Sequence, residues 1–274
     1  MALGWLPLTS ICLVCLALLR EGLAEPNQLG LTRLDMPVAE LPHDLVDYRI
    51  LHISDMHVSR RGRREECLID LCQVPADLIV FTGDYVARKA SAVGVCVEVV
   101  RDLLAGRPAI GVLGNNDFSP EIPLGALVRA LGDCGLRILR NEAVRVSHRG
   151  SDFVVGGLDD PVWRLDDSKA TWRETGGDDG TSFRVLLAHS PHPFYRPDGS
   201  GANLLLVGHT HGGQVCLPGI GSLYPKTRHV TKYTSGTYRK VGTVMHVNRG
   251  VGTNRLPVRL FCRPEVILYT LKSL

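Results

Sequence analysis

An excess of charge of one sign is missing from this sequence: 31 lysines and arginines stand against 28 aspartates and glutamates, for a net charge of +3. That balance gives no reason to expect a nucleic-acid binder, which usually carries a marked basic excess. There is no internal repeat and no low-complexity tract, which sets aside solenoids and long disordered tails. The cysteines form no tight framework and show no metal-finger spacing. Cys67, Cys72, Cys96, Cys134, Cys216 and Cys262 are scattered through a chain of 274 residues. A chain of that length builds a core without disulfide staples, and these cysteines read as small buried hydrophobes.

One long stretch has no charge at all, Ala2 to Leu19, and it is closed by Arg20 and Glu21. It marks residues 1–24 as a membrane-directed segment. The first reading is a signal anchor; the second is a signal peptide cleaved after Gly22-Leu23-Ala24 and an exported protein. No lysine or arginine precedes the stretch, whereas Arg20 and Arg33 follow it. Positive charge stays on the cytoplasmic side, so an anchored protein would keep its main domain in the cytoplasm.

Residues 25–47, broken by Pro26, Pro37 and Pro42, show no sustained period and read as a linker, which leaves 48–274 as one domain. Within that domain, short β-branched runs alternate with helical patterns. Strands are expected at Tyr48 to Ile53, Leu78 to Phe81, Ala109 to Leu113, Phe153 to Val155, Val185 to Ala188, Leu204 to Val207, Val244 to Val247 and Val266 to Thr270. Helices are expected at Arg63 to Cys72, Ala92 to Leu104 and Leu124 to Cys134. Strand, helix, strand in the first half implies βαβ units, and the strand-rich second half implies a second, mixed sheet.

Polar clusters follow five of these strands: Ser54-Asp55-Met56-His57, Thr82-Gly83-Asp84, Gly114-Asn115-Asn116-Asp117, Ala188-His189 and Gly208-His209-Thr210-His211. Active residues of open α/β sheets collect at such carboxyl ends. The residue types suit two divalent metals. Asp55, His57 and His211 can hold one ion, Asn115, His189 and His209 the other, and the carboxylate of Asp84 can bridge them and offset their repulsion. A mixed nitrogen and oxygen set fits Mn²⁺ first, with Fe or Zn²⁺ as alternatives, better than the all-oxygen cage of Ca²⁺. In extended chain, the two side chains of Asp55-x-His57 or His209-x-His211 share a face and can approach one site.

Taken in order, Asp55-x-His57, Gly83-Asp84, Gly114-Asn115-x-Asp117, His189 and Gly208-His209-x-His211 resemble the calcineurin-like metallophosphoesterases. Asn248-Arg249-Gly250 and Leu256-Pro257-Val258-Arg259 add a resemblance to the membrane-associated subfamily, which includes phosphodiesterases and lipid-precursor pyrophosphatases. The resemblance implies a four-layer α/β sandwich of two mixed β-sheets flanked by helices. It also implies a two-metal hydrolase of phosphodiester or pyrophosphate bonds, in which His209 or Arg249 spreads the charge of the transition state.

One position departs from the family pattern: the usual histidine between Asn115 and Asp117 is Asn116 here. An amide cannot deliver a proton to a leaving group, although it can hydrogen-bond a phosphoryl oxygen. This favours substrates with a good leaving group, such as a pyrophosphate, and the sharpest example is a lipid precursor of the UDP-2,3-diacylglucosamine type. Two other readings stay open, a phosphodiesterase of soluble substrates and a metal-binding regulator with impaired catalysis. His52, inside the first strand, reads as a hydrogen-bonded core residue. Trp163 and Trp172 lie in a polar insertion, Asp159 to Gly180, that reads as a substrate-side lid or a surface loop.

Overall fold

Successive side chains of the strand Arg49–Ile53 (β2) leave opposite faces of its sheet. Leu51 and Ile53 join one buried apolar cluster, whereas Ile50 joins another. The same division recurs at Leu78–Thr82 (β3), where Ile79 and Phe81 face one way and Leu78 and Val80 the other. Both faces of these strands are covered, which explains why they read as continuous apolar runs and not as alternating ones.

The computed structural model describes residues 6–173, 183–196, 200–223, 232–240 and 242–274. Beyond β2 and β3, its first sheet contains Gly30–Val38 (β1), Ala109–Val112 (β4), Leu136–Ile138 (β5) and Glu265–Ser273 (β14), in the order β1-β14-β2-β3-β4-β5. β2 to β5 are mutually parallel, while β14 runs antiparallel to β2 and parallel to β1. The second sheet contains Glu142–His148 (β6), Ser151–Gly157 (β7), Arg184–Leu187 (β8), Leu204–Val207 (β9), Gly236–Lys240 (β12) and Thr243–Val247 (β13). Its order is β12-β13-β9-β8-β7-β6, parallel through its middle with an antiparallel strand at each edge. The intervening pair Cys216–Leu217 (β10) and Gly221–Ser222 (β11) forms a short hairpin.

The sheets lie face to face, because one cluster draws on both: Ile50, Val80, Ile110 and Tyr269 from the first, Val155, Val185, Leu187 and Leu206 from the second. Helices Arg63–Leu71 (α2), Val93–Leu104 (α3) and Leu124–Gly132 (α4) cover the outer face of the first sheet. Trp172 of Ser168–Arg173 (α5) and Phe194 of His192–Tyr195 (α6) pack on the outer face of the second. The fold is therefore an α/β arrangement of two mixed sheets flanked by helices.

Two features differ from the sequence expectation. Residues 30–38, expected within a linker, form β1, paired along its length with β14. β1 is an edge strand with one side unpaired, so it tolerates Pro37 and carries only a partial alternation of buried residues. Residues 6–24 form a helix (α1) with Ile11, Leu13, Val14, Leu16 and Leu19 exposed. Among the described residues, no helix is long and apolar enough to cross a membrane.

Candidate metal centre

Five strand ends meet on one rim, and backbone bonds tie them together. The amide of Asp55 donates to Gly83 O (3.0 Å) and that of His57 to Asp84 O (3.0 Å), which locks the loops after β2 and β3 side by side. The amide of His209 donates to Asp55 Oδ2 (2.8 Å), which joins the second sheet to the first. Asp117 holds the third loop in place, because its carboxylate accepts from the amides of Asp84 (2.8 Å), Tyr85 (3.0 Å) and Gly114 (2.8 Å).

Extended chain is not what brings the paired residues together. Asp55, His57, Asp84, His209 and His211 all have left-handed backbone, with φ between 45° and 71°. For residues other than glycine that conformation costs ~1–2 kcal/mol each, and such strain collects at functional sites. Gly83, at φ 87°, permits the closest crossing, since a Cβ there would lie 2.3 Å from Gly114 N.

The resulting side-chain geometry forms two adjoining groups. In one, His57 Nε2 lies 3.1 Å from His211 Nε2, and Asp55 Oδ1 lies 3.1 Å from the same His211 nitrogen. In the other, His189 Nε2 lies 3.1 Å from both Asn115 Oδ1 and His209 Nδ1. Asp84 Oδ2 stands between the groups, 3.4 Å from His57 Nε2 and 3.4 Å from His189 Nε2. All seven residues expected as ligands are therefore brought together. Two triads, Asp55–His57–His211 and Asp55–Asp84–His189, have ligand atoms within 4.8 Å of one another. Asp55 thus reaches both groups, although its expected place was in one alone.

The electrostatics call for cations. Burial opposes the charged forms of Asp55 and Asp84, yet their histidine neighbours hold both carboxyls below the usual carboxylate range. Burial alone would lower His189, but the charges of Asp84, Asp55 and Asp160 outweigh it and push the imidazole up to about 10. Asp117 moves the other way, pushed up to about 7 by burial and then by the negative charge of Asp84. Two buried carboxylates ringed by imidazole nitrogens and an amide oxygen form a donor set that divalent metals satisfy, so the residues present fit the metals their types suggested.

The family follows from this geometry together with sequence comparison. A calcineurin-like phosphoesterase family model matches residues 48–213. The chain belongs to the calcineurin-like phosphoesterase family. An uncharacterized metallophosphoesterase of Bacillus subtilis, YkuE, is 30% identical over 256 residues, covering 91% of this chain and 87% of that protein. The phosphodiesterase YaeI of Escherichia coli is 27% identical over 230 residues, 82% of each chain. The UDP-2,3-diacylglucosamine pyrophosphatase LpxG of Chlamydia muridarum is 23% identical, covering 89% of each chain. As a calcineurin-like phosphoesterase, the protein is a metal-dependent hydrolase.

Arg249, expected from the resemblance to meet phosphate, precedes Gly250, which packs against Asp55. Its guanidinium pairs with Glu265 (2.5 Å), and it lines a cavity with Gln28 and Arg263. Asn116 is in the site: its Nδ2 donates to Asp84 Oδ2 (2.5 Å) and lies 3.3 Å from His57 Nδ1. Of the tryptophans, Trp163 donates its ring N–H to Asn115 O (3.0 Å), so the start of the insertion rests on the third loop. Trp172 is buried, with its ring N–H on Ser200 O. Residues 174–180 of the insertion lie outside the described residues.

Two residues of the site, Arg88 and Asp160, were not singled out from sequence, and a third, Arg259, was read only as the last residue of a motif. Arg88, in the loop after Asp84, reaches Asn116. Asp160, pushed up to about 6 by burial, lies near His189 and Asp84 and accepts the amide of Trp163 (3.0 Å). Arg259, fully buried, donates to the carbonyls of Arg249, Gly250 and Gly252 and so fixes the loop packed behind Asp55 and His57. For Arg88 the signal available was its place after Asp84 in the same strand-end loop.

Proposed function

We propose that the protein hydrolyses a phosphodiester or pyrophosphate bond with two divalent ions, Mn²⁺ foremost and Fe or Zn²⁺ as alternatives. Asp55, His57 and His211 hold one ion, Asn115, His189 and His209 the other, and Asp84 is shared. The observation that carries this reading is the position of Asp84 Oδ2 at equal distance, 3.4 Å, from a histidine of each group. When bound, the ions supply Lewis-acid charge to the phosphoryl oxygens and acidity to a water.

The chain's own residues orient the reaction. Asn116 keeps its NH₂ group directed into the cage, where it can donate to a phosphoryl oxygen but cannot transfer a proton. The leaving oxygen must therefore depart without help from a general acid at this position, which favours a pyrophosphate or an activated diester. A membrane-linked substrate suits the exposed apolar side chains of α1. The end of that helix is fastened to the domain, where Gly22 O accepts from Arg259 N (3.0 Å) and the Glu25 carboxylate accepts from the Phe261 amide (2.7 Å). A nucleotide-lipid pyrophosphate at the membrane surface, with the domain on the cytoplasmic side, combines these features.

A panel of phosphodiesters and nucleotide-lipid pyrophosphates, each assayed with Mn²⁺, Fe²⁺ and Zn²⁺, tests the reading. Metal-dependent turnover of at least one class is expected. No turnover of any class by protein loaded with two ions would contradict it.

A further inference from the structure

A cavity of about 810 Å³ opens beside the cage, with His57 and Asn116 in its wall. Six cationic residues line the rest of it: Arg60, Arg63, Arg64, Arg88, Lys89 and Arg255. Glu65, the one acidic residue of the lining, is already paired with Arg64 (2.7 Å). Arg61, the neighbour of this set in sequence, turns instead to Glu66 and Asp102. Arg60, Arg63, Lys89 and Arg255 make no ion pair among the described residues. Like charges gathered around one concavity repel each other and draw in an anion to relieve the repulsion.

Arg88 connects this wall to the cage. Its Nε donates to Asn116 Oδ1 (2.5 Å), which fixes the amide with its oxygen outward and its nitrogen on Asp84. The guanidinium thereby stands at the boundary between the cage and the cationic cavity, beside the position where the family pattern has its histidine. Unlike an imidazole it cannot release a proton near neutral pH, so it can only neutralise charge.

We infer that Arg88 is a specificity-determining residue that contacts the departing group of the substrate, and that the cationic cavity selects departing groups carrying their own phosphate. This rests on the hydrolase reading above. In the reaction, a water oxygen forms a bond to phosphorus and loses a proton to solvent. The bond from phosphorus to the bridging oxygen breaks, and its electron pair leaves with the departing phosphate. That phosphate is anionic throughout and needs no proton, and Arg88 holds its charge.

The test compares full-length, Mn²⁺-loaded protein and its Arg88→Ala variant on bis(p-nitrophenyl) phosphate, whose departing group is a phenolate, and on ADP-ribose, whose departing group is a phosphate. The variant should lose ~100-fold in kcat/KM on ADP-ribose and at least ~10-fold less than that on the diester, with unchanged metal content. Added guanidinium ion should restore more of the pyrophosphate activity than of the diester activity. Calorimetric binding of methylenediphosphonate to the loaded protein gives a readout independent of turnover, and Arg88→Ala should weaken it ~10-fold. Equal losses on the two substrates, or unchanged methylenediphosphonate affinity, would overturn the assignment of Arg88. If the wild type turned over neither substrate, the wider panel would decide the hydrolase reading, and the binding measurement would still decide the role of Arg88.

Discussion

Asp84 Oδ2 lies 3.4 Å from His189 Nε2, and the same oxygen lies 3.4 Å from His57 Nε2. One carboxylate oxygen therefore serves two groups of ligands, each of which draws on both sheets. The two histidines should behave differently from the aspartate they share. His57→Ala should release one ion and weaken the other only indirectly, and His189→Ala should do the same at the second position. Metal analysis of the purified variants checks this, with about one ion retained per chain in each. Loss of both ions from either histidine variant would argue against two separable positions.

Asn116 supplies a prediction about leaving groups. Replacing it by histidine should accelerate hydrolysis of an alkyl diester, whose alkoxide needs a proton, by up to ~10²-fold. A pyrophosphate should gain little, because its departing phosphate needs none. The measurement is kcat/KM on both substrates at unchanged metal content. Equal acceleration would show that leaving-group chemistry does not account for the amide.

Gly83 carries the close crossing of two loops. Its φ is 87°, and a Cβ would stand 2.3 Å from Gly114 N and 2.7 Å from Gly114 Cα, both backbone atoms that cannot turn aside. Gly83→Ala should lower unfolding stability by ~3 kcal/mol or more and reduce metal content with it. Urea melts and metal analysis check both effects. A variant with wild-type stability would mean that the loops can separate without cost.

His52 gives a pH dependence. Burial, with the nearby charge of His246 added, pushes its imidazole down to about 3. In the unfolded chain it titrates near ~6.5. As pH falls, the unfolded state takes up the proton first, so stability is level above ~6.5 and declines below it towards the folded value. The slope approaches ~1.4 kcal/mol per pH unit. His52→Gln removes this titration, so between pH 7 and pH 5 the variant should lose less stability than the wild type. Parallel pH profiles in urea unfolding would contradict the assignment.

The buried strands were legible because both their faces are covered: Leu204–Val207 stands in the structure where the apolar run ends and the Gly208-His209 cluster begins. β1 and β12 were not, because an edge strand with exposed residues lacks that continuity. The ligand types were legible from residue chemistry, but the left-handed backbone that aims Asp55 and His57 was not, since neither residue requires it. Arg249 and Arg88 show the same limit from two sides. Only the structure shows their tertiary partners, Glu265 for one and Asn116 for the other.

The central claim is a pair of ions sharing Asp84 and driving hydrolysis, and it is tested most directly on Asp84→Ala reconstituted with Mn²⁺ beside the wild type. Metal content and turnover of bis(p-nitrophenyl) phosphate and a nucleotide-lipid pyrophosphate are measured on the same samples. The wild type should hold two ions and turn over at least one of the two substrates. The variant should be depleted at both positions and lose activity by ~10³-fold or more. Two retained ions with undiminished turnover in Asp84→Ala would contradict the account.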